Sequence, residues 1–181
     1  VWQSHLKLME AALSSGIAPD WYEVDTQGMV LPDTVLPHVG SYDAIRVYLW
    51  AGMTPSIQGV RNRILELTQP FSALVAQRKF PPEKTDPLTR SSAGGQPLGF
   101  SAAVLPYLHA LSEDATARLQ LERLVQNRVN GSLGDPAHYY DQVQLYQAYL
   151  GLDANPALFT AVNSDTCHIL HQLIEFDPAA A

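Results

Sequence analysis

The sequence predicts an all-α fold in which helices are separated by long irregular stretches. Apolar residues recur every three or four positions through most of the chain, which is the spacing of amphipathic helices. Alternation with a period of two, which would indicate strands, appears only briefly near residue 21. Two proline-rich stretches, 17–40 and 80–97, interrupt the helical pattern. The pattern therefore predicts six or seven helices and two long loops.

Composition limits the classes of partner and cofactor. The 181 residues carry 11 Lys and Arg against 18 Asp and Glu, a net charge of −7, so no surface for nucleic acid or anionic lipid is predicted. No apolar run approaches the roughly 18 residues of a membrane-spanning helix, so no membrane insertion is expected. The single cysteine, Cys167, excludes an internal disulfide and a multi-cysteine zinc site.

The first predicted helix covers residues 1–15 and ends at Gly16, a residue typical of the position after a helix. Its apolar face would consist of Trp2, Leu6, Met9 and Leu13. No capping residue precedes it, so we expect that the N-terminal part of the domain is missing from the sequence. Trimming of a flexible leader is the alternative.

Residues 17–40 are predicted to be irregular, with one short hairpin. Residues 21–24 and 29–31 would be its strands, because Thr26-Gln27-Gly28 between them is a turn signal. A loop of this length inside a compact domain usually either has a function or has been assigned wrongly.

Prolines separate the next predicted helices. Ser41 is expected to cap a helix over 42–53. This helix is apolar nearly all round, so we expect it to be buried on several sides. A helix over 57–68 follows, and Pro70 is predicted to start another that ends at Arg78.

Three further helices are predicted in the second half of the chain, over residues 100–111, 114–129 and 138–150, and residues 164–176 are a candidate for one more. Pro106 falls inside the first of them. Asp114 or Thr116 is expected to cap the second.

The helix over 42–53 carries the best candidate for chemistry, the pair Asp43 and Arg46. From spacing alone, an acid in the first helical turn followed by an arginine three residues later is most simply a local ion pair. The apolar surroundings favour a second interpretation, because a buried carboxylate must be paired or have a task. An ionised carboxylate beside an arginine suits a general base that takes a proton from water.

Other side chains give weaker signals. Most of the tyrosines and tryptophans are predicted to fill the core, with Trp21 and Tyr42 as exceptions because they flank loop–helix junctions. His168, His171 and Glu175 have the spacing of metal ligands on a helix, but a surface helix face explains them better, so no metal is predicted. No phosphate-binding glycine loop and no serine-hydrolase motif is present.

Residues 41–53, Ser-Tyr-Asp-Ala-Ile-Arg-Val-Tyr-Leu-Trp-Ala-Gly-Met, closely resemble the Tyr-Asp-Ala-x-Arg segment of glycoside hydrolase family 8, especially in the periplasmic endo-β-1,4-glucanases of bacterial cellulose synthesis. Supporting matches are Pro19-Asp20-Trp21, residues 80–86 with 99–107, and His138-Tyr139-Tyr140-Asp141 with Leu145. The resemblance covers about residues 10–150. Residues 151–181 match nothing in the family.

This resemblance implies an (α/α)6 barrel that hydrolyses β-1,4-glucan (cellulose) with inversion and without a cofactor, in the periplasm or outside the cell. Inversion needs two carboxyl groups roughly 6.5–9.5 Å apart with room for a water. The family's general base falls on Asp43, which Arg46 would orient and keep charged. Tyr42 would lie beside the attacking water, and Trp21 is a candidate platform for a glucosyl ring.

The sequence departs from the family in its other catalytic groups. The family's general acid is a Glu in a Glu-Gly-x-Ser-Tyr-Gly segment, and a further catalytic Asp lies in a Ser-Asp-Gly-Asp-like segment; neither segment is present. Residues 1–181 are therefore expected to form the C-terminal part of one catalytic domain that needs its N-terminal half as a partner. The alternatives are a non-catalytic helical module that binds glucan or a protein, and another toroid enzyme such as a xylanase, chitosanase or polysaccharide lyase.

Overall fold

Eight helices form most of the described structure, which confirms the all-α prediction. A computed structural model describes residues 2–32, 38–55, 59–130, 132–134, 138–154 and 161–174. The helices are α1 (Trp2–Ala12), α2 (Ile45–Met53), α3 (Val60–Arg78), α4 (Leu98–Ala103), α5 (Leu105–Ala110), α6 (Asp114–Gln126), α7 (Tyr139–Ala154) and α8 (Ala161–Ile174). None of the helices in this part of the chain is both long and apolar enough to cross a membrane.

Within the described residues, three antiparallel two-stranded hairpins accompany the helices. They pair β1 (Tyr22–Val24) with β2 (Val30–Pro32), β3 (Lys84–Thr85) with β4 (Ser92–Ala93), and β5 (Arg128–Val129) with β6 (Ser132–Leu133). The first confirms the predicted hairpin, and Gly28 at its turn has a φ of 81°, which favours glycine. The third corrects the prediction that a helix continues to Val129, because α6 ends at Gln126 and the chain turns back.

Two prolines act in the opposite way to their predicted roles. The helices predicted over 57–68 and from Pro70 to Arg78 form one continuous helix, α3. Pro70 does not break it, because the carbonyl that loses its donor belongs to Glu66, an exposed residue. The helix predicted to contain Pro106 is instead divided at Val104. Pro106 then occupies the first turn of α5, where a missing backbone N–H leaves nothing unpaired.

The cap predicted for α6 is wrong. The residue at its N-cap is Glu113, whose side chain makes no capping hydrogen bond. Asp114 lies inside the first turn, where a carboxylate still complements the helix dipole. Thr116 is buried within the helix, so its hydroxyl does not reach the end of the helix.

The terminal helices agree with the predictions to within a few residues. The first helix, α1, ends at Ala12, three residues before its predicted end, and Gly16, with a φ of 81°, belongs to the turn that follows instead of ending the helix. At the other end, α7 continues past residue 150 to Ala154, and α8 begins at Ala161, three residues before the predicted start. The predicted end of α8 at residue 176 lies outside the described residues.

Buried aromatic residues join α2, α3 and α5 into one core. The Tyr48 ring stacks on Phe71 with the centroids 3.7 Å apart and the planes 8° from parallel. The backbone N–H of Ala18 donates to the Tyr48 hydroxyl at 2.8 Å, and the Tyr107 hydroxyl donates to the Thr68 carbonyl at 2.7 Å. Both phenols are buried with partners, as predicted for core tyrosines. The prediction that most tyrosines and tryptophans fill the core is wrong, because Tyr22, Trp50, Tyr139 and Tyr146 are exposed.

Glycines allow two pairs of helices to approach closely. A Cβ at Gly52 of α2 would lie 2.3 Å from the backbone nitrogen of Tyr107 in α5. A Cβ at Gly99 of α4 would lie 2.6 Å from the Cα of Asp141 in α7. Because the obstructing atoms are backbone, a side chain at either position would separate the helices.

We expect Gly52→Ala to lower the free energy of unfolding by about 1–3 kcal/mol, because the added methyl group must push α5 away from α2. Urea unfolding monitored by circular dichroism measures this loss. The control is Gly95→Ala, since a Cβ there meets only the flexible Glu83 carboxylate at 3.2 Å. Equal stabilities of the two variants would show that the α2–α5 contact can relax.

Candidate active site

Asp43 and Arg46 form an ion pair at the start of α2. Asp43 lies in the turn before the helix, and the Arg46 guanidinium donates to its carboxylate. The Arg46 guanidinium also lies 5.9 Å from the centre of the Trp50 ring, so the three side chains follow one face of the helix. The sequence predicted this pair, and the structure brings its two members together.

The predicted burial of this pair is wrong. The Asp43 side chain is 43% exposed and that of Arg46 is 37% exposed. Ile45, Tyr48 and Leu49 face the core, but Trp50 is 54% exposed, so α2 has an open face as well as a buried one. The helix was predicted to be buried on several sides because its apolar composition hides this asymmetry.

Asp20, not Ser41, caps the start of α2. One carboxylate oxygen of Asp20 accepts the backbone N–H groups of Ser41 at 2.7 Å, Asp43 at 3.1 Å and Ala44 at 2.7 Å. The Ser41 hydroxyl, which was predicted to be the cap, donates to the other oxygen of Asp20 at 2.9 Å. The helix start thus depends on a residue more than 20 positions earlier in the chain.

Tyr42 lies among aromatic rings contributed by two other helices. Its ring makes edge contacts with Phe100 of α4 and Tyr140 of α7, each with the centroids 5.0 Å apart. The Tyr140 hydroxyl donates to the Tyr42 carbonyl. Burial raises the pKa of the Tyr42 phenol, and the nearby carboxylates of Glu83 and Asp141 raise it further, so this hydroxyl remains protonated at neutral pH.

The loop 80–97 is hydrogen-bonded to Gly40, the residue directly before the segment 41–53. The backbone of Gly40 pairs with that of Thr85, with N–H to carbonyl distances of 2.8 and 2.9 Å, and the Thr85 hydroxyl also donates to the Gly40 carbonyl. A Cβ at Gly40 would lie 2.0 Å from the Ala18 carbonyl oxygen, so only glycine fits where these segments meet. Both long loops therefore support the start of α2, as expected if they contribute to a site.

An open cleft of about 630 Å³ adjoins this cluster. Its lining includes Tyr42, Tyr139, Tyr140, Gln96, His138 and Asp141, and we call it the tyrosine cleft. Tyr139 is 83% exposed and Tyr42 39% exposed, so both present ring surface and hydroxyl groups to a ligand. Such a lining suits a neutral ligand with apolar faces and many hydroxyl groups.

Trp21 lies in a different depression. It follows the capping residue Asp20 but lines a groove together with Tyr22, His38 and Leu88. Its side chain is 57% exposed. Of the four predicted site residues, Tyr42 lines the tyrosine cleft and Trp21 lines this other groove. Asp43 and Arg46 are not among the lining residues of the cleft and lie close to Tyr42 along the chain.

Two carboxylates near the tyrosine cleft mainly support backbone. The buried Asp141 accepts the backbone N–H of Gly99 at 2.7 Å, which joins α7 to the start of α4. Glu83 accepts the backbone N–H of Gly95 at 2.6 Å and so closes the loop 80–97 on itself. Hydrogen bonds to backbone N–H groups stabilise ionised carboxylates, so both are typical structural acids.

Sequence reasoning assigned no role to Asp20 or Tyr140, although both lie in segments that support the family resemblance. Their contacts with the start of α2 span 21–24 residues of chain for Asp20 and 98 for Tyr140, so no local pattern predicts them. Within the described residues, no group of three or more His, Cys, Asp and Glu could hold a metal ion. Glu175 of the candidate histidine cluster lies outside those residues.

The described residues form a helical fold with an open cleft lined by tyrosines. The chain belongs to the glycosyl hydrolases family 8, since the sequence model of that family matches residues 2–144. Both the resemblance drawn from residues 41–53 and the (α/α)6 fold class expected from it are confirmed. Residues after 144 lie beyond the match, so the assignment of 1–181 to one catalytic domain stays a prediction.

Bacterial endoglucanases are among its relatives. The chain is 46% identical over 109 residues to an endoglucanase of Xanthomonas axonopodis pv. citri (strain 306), covering 60% of this chain and 28% of that protein. It is 36% identical over 127 residues to an endoglucanase of Escherichia coli (strain K12), and this match covers 69% of this chain and 33% of that protein. The chain therefore spans about a third of the length of the curated relatives it matches.

A solved structure extends this likeness to three dimensions. The crystal structure of endo-1,4-D-glucanase from Vibrio fischeri ES114 superposes with a TM-score of 0.66 at 27% sequence identity. The match covers 90% of this chain and 46% of that one. The described helices thus have the arrangement of a part of that enzyme.

We expect Arg46→Gln to change the free energy of unfolding by less than about 1 kcal/mol, because solvent screens an ion pair that is more than one-third exposed. Urea unfolding of the variant and the wild type measures the difference. A loss of about 3 kcal/mol or more, typical of a broken buried pair, would contradict the exposure of the site.

Proposed function

We propose that the chain is part of an inverting endo-β-1,4-glucanase in which Asp43 is the general base. The observation that carries the proposal is the exposed Asp43–Arg46 pair beside the tyrosine cleft, in a chain of the glycosyl hydrolases family 8. Relatives of this chain are endoglucanases, and we extend that activity and a β-glucan substrate to it.

The exposure of Asp43 suits this role. A general base in an inverting glycosidase takes a proton from a water that attacks the anomeric carbon, so the carboxylate must be open to that water. Arg46 holds one carboxylate oxygen of Asp43, which leaves the other for the water. Trp50 lies against the guanidinium and restricts its motion.

The tyrosine cleft suits the substrate. A β-glucan is neutral, with apolar ring faces and equatorial hydroxyl groups, and the exposed Tyr42 and Tyr139 offer both ring surface and hydrogen-bonding groups. Tyr42 is next to Asp43 in the chain and lies among the cleft residues. We place it beside the attacking water.

The remaining catalytic groups and the location belong to the same proposal. The general acid would come from the N-terminal half of the catalytic domain, because the family segments that carry it are not in this sequence. We propose a periplasmic or secreted location, since polymeric β-glucan is an extracytoplasmic substrate. No cofactor is needed, because two carboxyl groups suffice for hydrolysis.

The test is Asp43→Asn in the full-length enzyme, assayed by release of reducing ends from soluble cellulose. We expect kcat to fall by about 10²–10⁴-fold, because the amide cannot accept the proton. Asp25→Asn is the matched control, since Asp25 only accepts backbone N–H groups in the β1–β2 turn. Activity of Asp43→Asn within tenfold of wild type would remove Asp43 as the base.

Two measurements on the wild-type enzyme complete this test. Nuclear magnetic resonance of the first-formed product should show the α-anomer, which inversion requires. Binding of cellulose without release of reducing ends would instead indicate a non-catalytic module. Faster cleavage of xylan or chitosan than of cellulose would indicate a different substrate.

The role of Trp21 as a glucosyl platform can be tested separately. If a glucan chain extends from the tyrosine cleft across Trp21, Trp21→Ala should raise KM for long glucans several-fold and leave kcat unchanged, because a stacking platform binds ground and transition states alike. Met29→Ala is the control, as an exposed apolar residue of the same hairpin region. An unchanged KM would exclude Trp21 from the binding surface.

A further inference from the structure

The peptide group that joins Tyr42 to Asp43 is held at both of its polar atoms. Its N–H, which belongs to Asp43, donates to the Asp20 carboxylate at 3.1 Å. Its carbonyl, which belongs to Tyr42, accepts the Tyr140 hydroxyl. Two side chains from distant parts of the sequence therefore fix the backbone immediately before the proposed base.

Asp20 is itself firmly placed. Its backbone N–H donates to the Val39 carbonyl at 2.8 Å, and two residues earlier the N–H of Ala18 donates to the buried Tyr48 hydroxyl. Its carboxylate accepts three backbone N–H groups and one hydroxyl at the start of α2. A carboxylate with so many donors has little freedom to move, so its position fixes the backbone of residues 41–44.

Tyr140 approaches from the opposite side, on α7. Its ring packs edge-on against Tyr42, and the next residue, Asp141, joins α7 to the N-terminus of α4 through Gly99. Burial raises the pKa of Tyr140, so its hydroxyl stays a hydrogen-bond donor at neutral pH. The carbonyl of Tyr42 is therefore held against a second rigid element.

We propose that Asp20 and Tyr140 are positioning residues that set the direction of the Asp43 carboxylate. The proposal rests on the proposed role of Asp43 as the general base. An aspartate side chain has only two rotatable bonds, and Arg46 holds one oxygen of the Asp43 carboxylate, so the position of that carboxylate depends closely on its backbone. A base must be within about 2.6–3.2 Å of the proton it takes, and a displacement of about 1 Å can lower the rate by about 100-fold.

Two conservative substitutions separate this role from simple structural support. Asp20→Asn keeps an oxygen that can accept the backbone N–H groups and removes the charge that strengthens those bonds. Tyr140→Phe keeps the ring contacts with Tyr42 and removes only the hydroxyl. Matched controls are Asp25→Asn, which caps the β1–β2 turn, and Tyr146→Phe, which is 51% exposed on the same helix as Tyr140.

The experiment measures kcat and KM of these variants on soluble cellulose in the full-length enzyme, alone and combined with Asp43→Asn. Because the two residues would act on the base and not on substrate affinity, each substitution should lower kcat by about 10- to 100-fold and change KM by less than about threefold. In the Asp43→Asn background, the same substitutions should have no further effect, because the group on which they act has been removed.

Separate outcomes overturn the proposal and the proposed function. If Asp43→Asn remains active, the assignment of the base fails, and the positioning role fails with it. If Asp43→Asn is inactive while Asp20→Asn and Tyr140→Phe match their controls, only the positioning role fails. The positioning role would also fail if Asp20→Asn and Tyr140→Phe lowered kcat as much in the Asp43→Asn background as in the wild type, since the two residues would then not act through Asp43. Thermal unfolding identifies any variant that is misfolded, and Tyr140→Phe decides the question if Asp20→Asn does not fold.

Discussion

The Asp20 carboxylate at the start of α2 is the interaction on which the described site depends. The first N–H groups of a helix have no partners within the helix. Here a residue of the preceding loop accepts three N–H groups at the helix start, so the cap is also the tertiary contact that joins loop and helix. Gly40, between these two segments, pairs with Thr85 and brings the second long loop to the same place. Removal of this carboxylate would leave donors unpaired in a partly buried region.

The site combines a fixed backbone with open side chains. Asp20 and Tyr140 hold the main chain around Tyr42 and Asp43 by hydrogen bonds. Gly40, just before them, packs so closely against the Ala18 carbonyl that a larger residue would not fit. The Asp43 and Arg46 side chains extend from this fixed backbone and are about 40% exposed. This arrangement suits the role proposed for the Asp43 carboxylate, which must contact a water molecule and also keep one orientation. The buried hydrogen bonds hold the backbone in place, and the exposure of the side chain gives water access to it.

Local patterns predicted the elements well where a single physical cause dominated. The hairpin near residue 21 and the Asp43–Arg46 pair both follow from contacts within a few residues. Predictions failed where the outcome depended on surroundings. Pro70 is tolerated within α3 because the carbonyl that loses its donor belongs to Glu66, an exposed residue, and Ser41 does not cap because Asp20 reaches the same donors. A sequence window contains neither the solvent nor a residue 20 positions away.

By itself, the sequence determined the helical class, the family and the residue types of the candidate base and its arginine. The helical class follows from the spacing of apolar residues, and the family and the base–arginine pair follow from one continuous motif. Both signals depend only on residues that are close together in the chain. Only the tertiary structure decided that Asp43 is half exposed, that Trp21 lies outside the tyrosine cleft, and that Asp20 and Tyr140 hold the peptide group before Asp43. The physical reason is that exposure and long-range hydrogen bonds are properties of packed elements, which no single segment of the chain possesses.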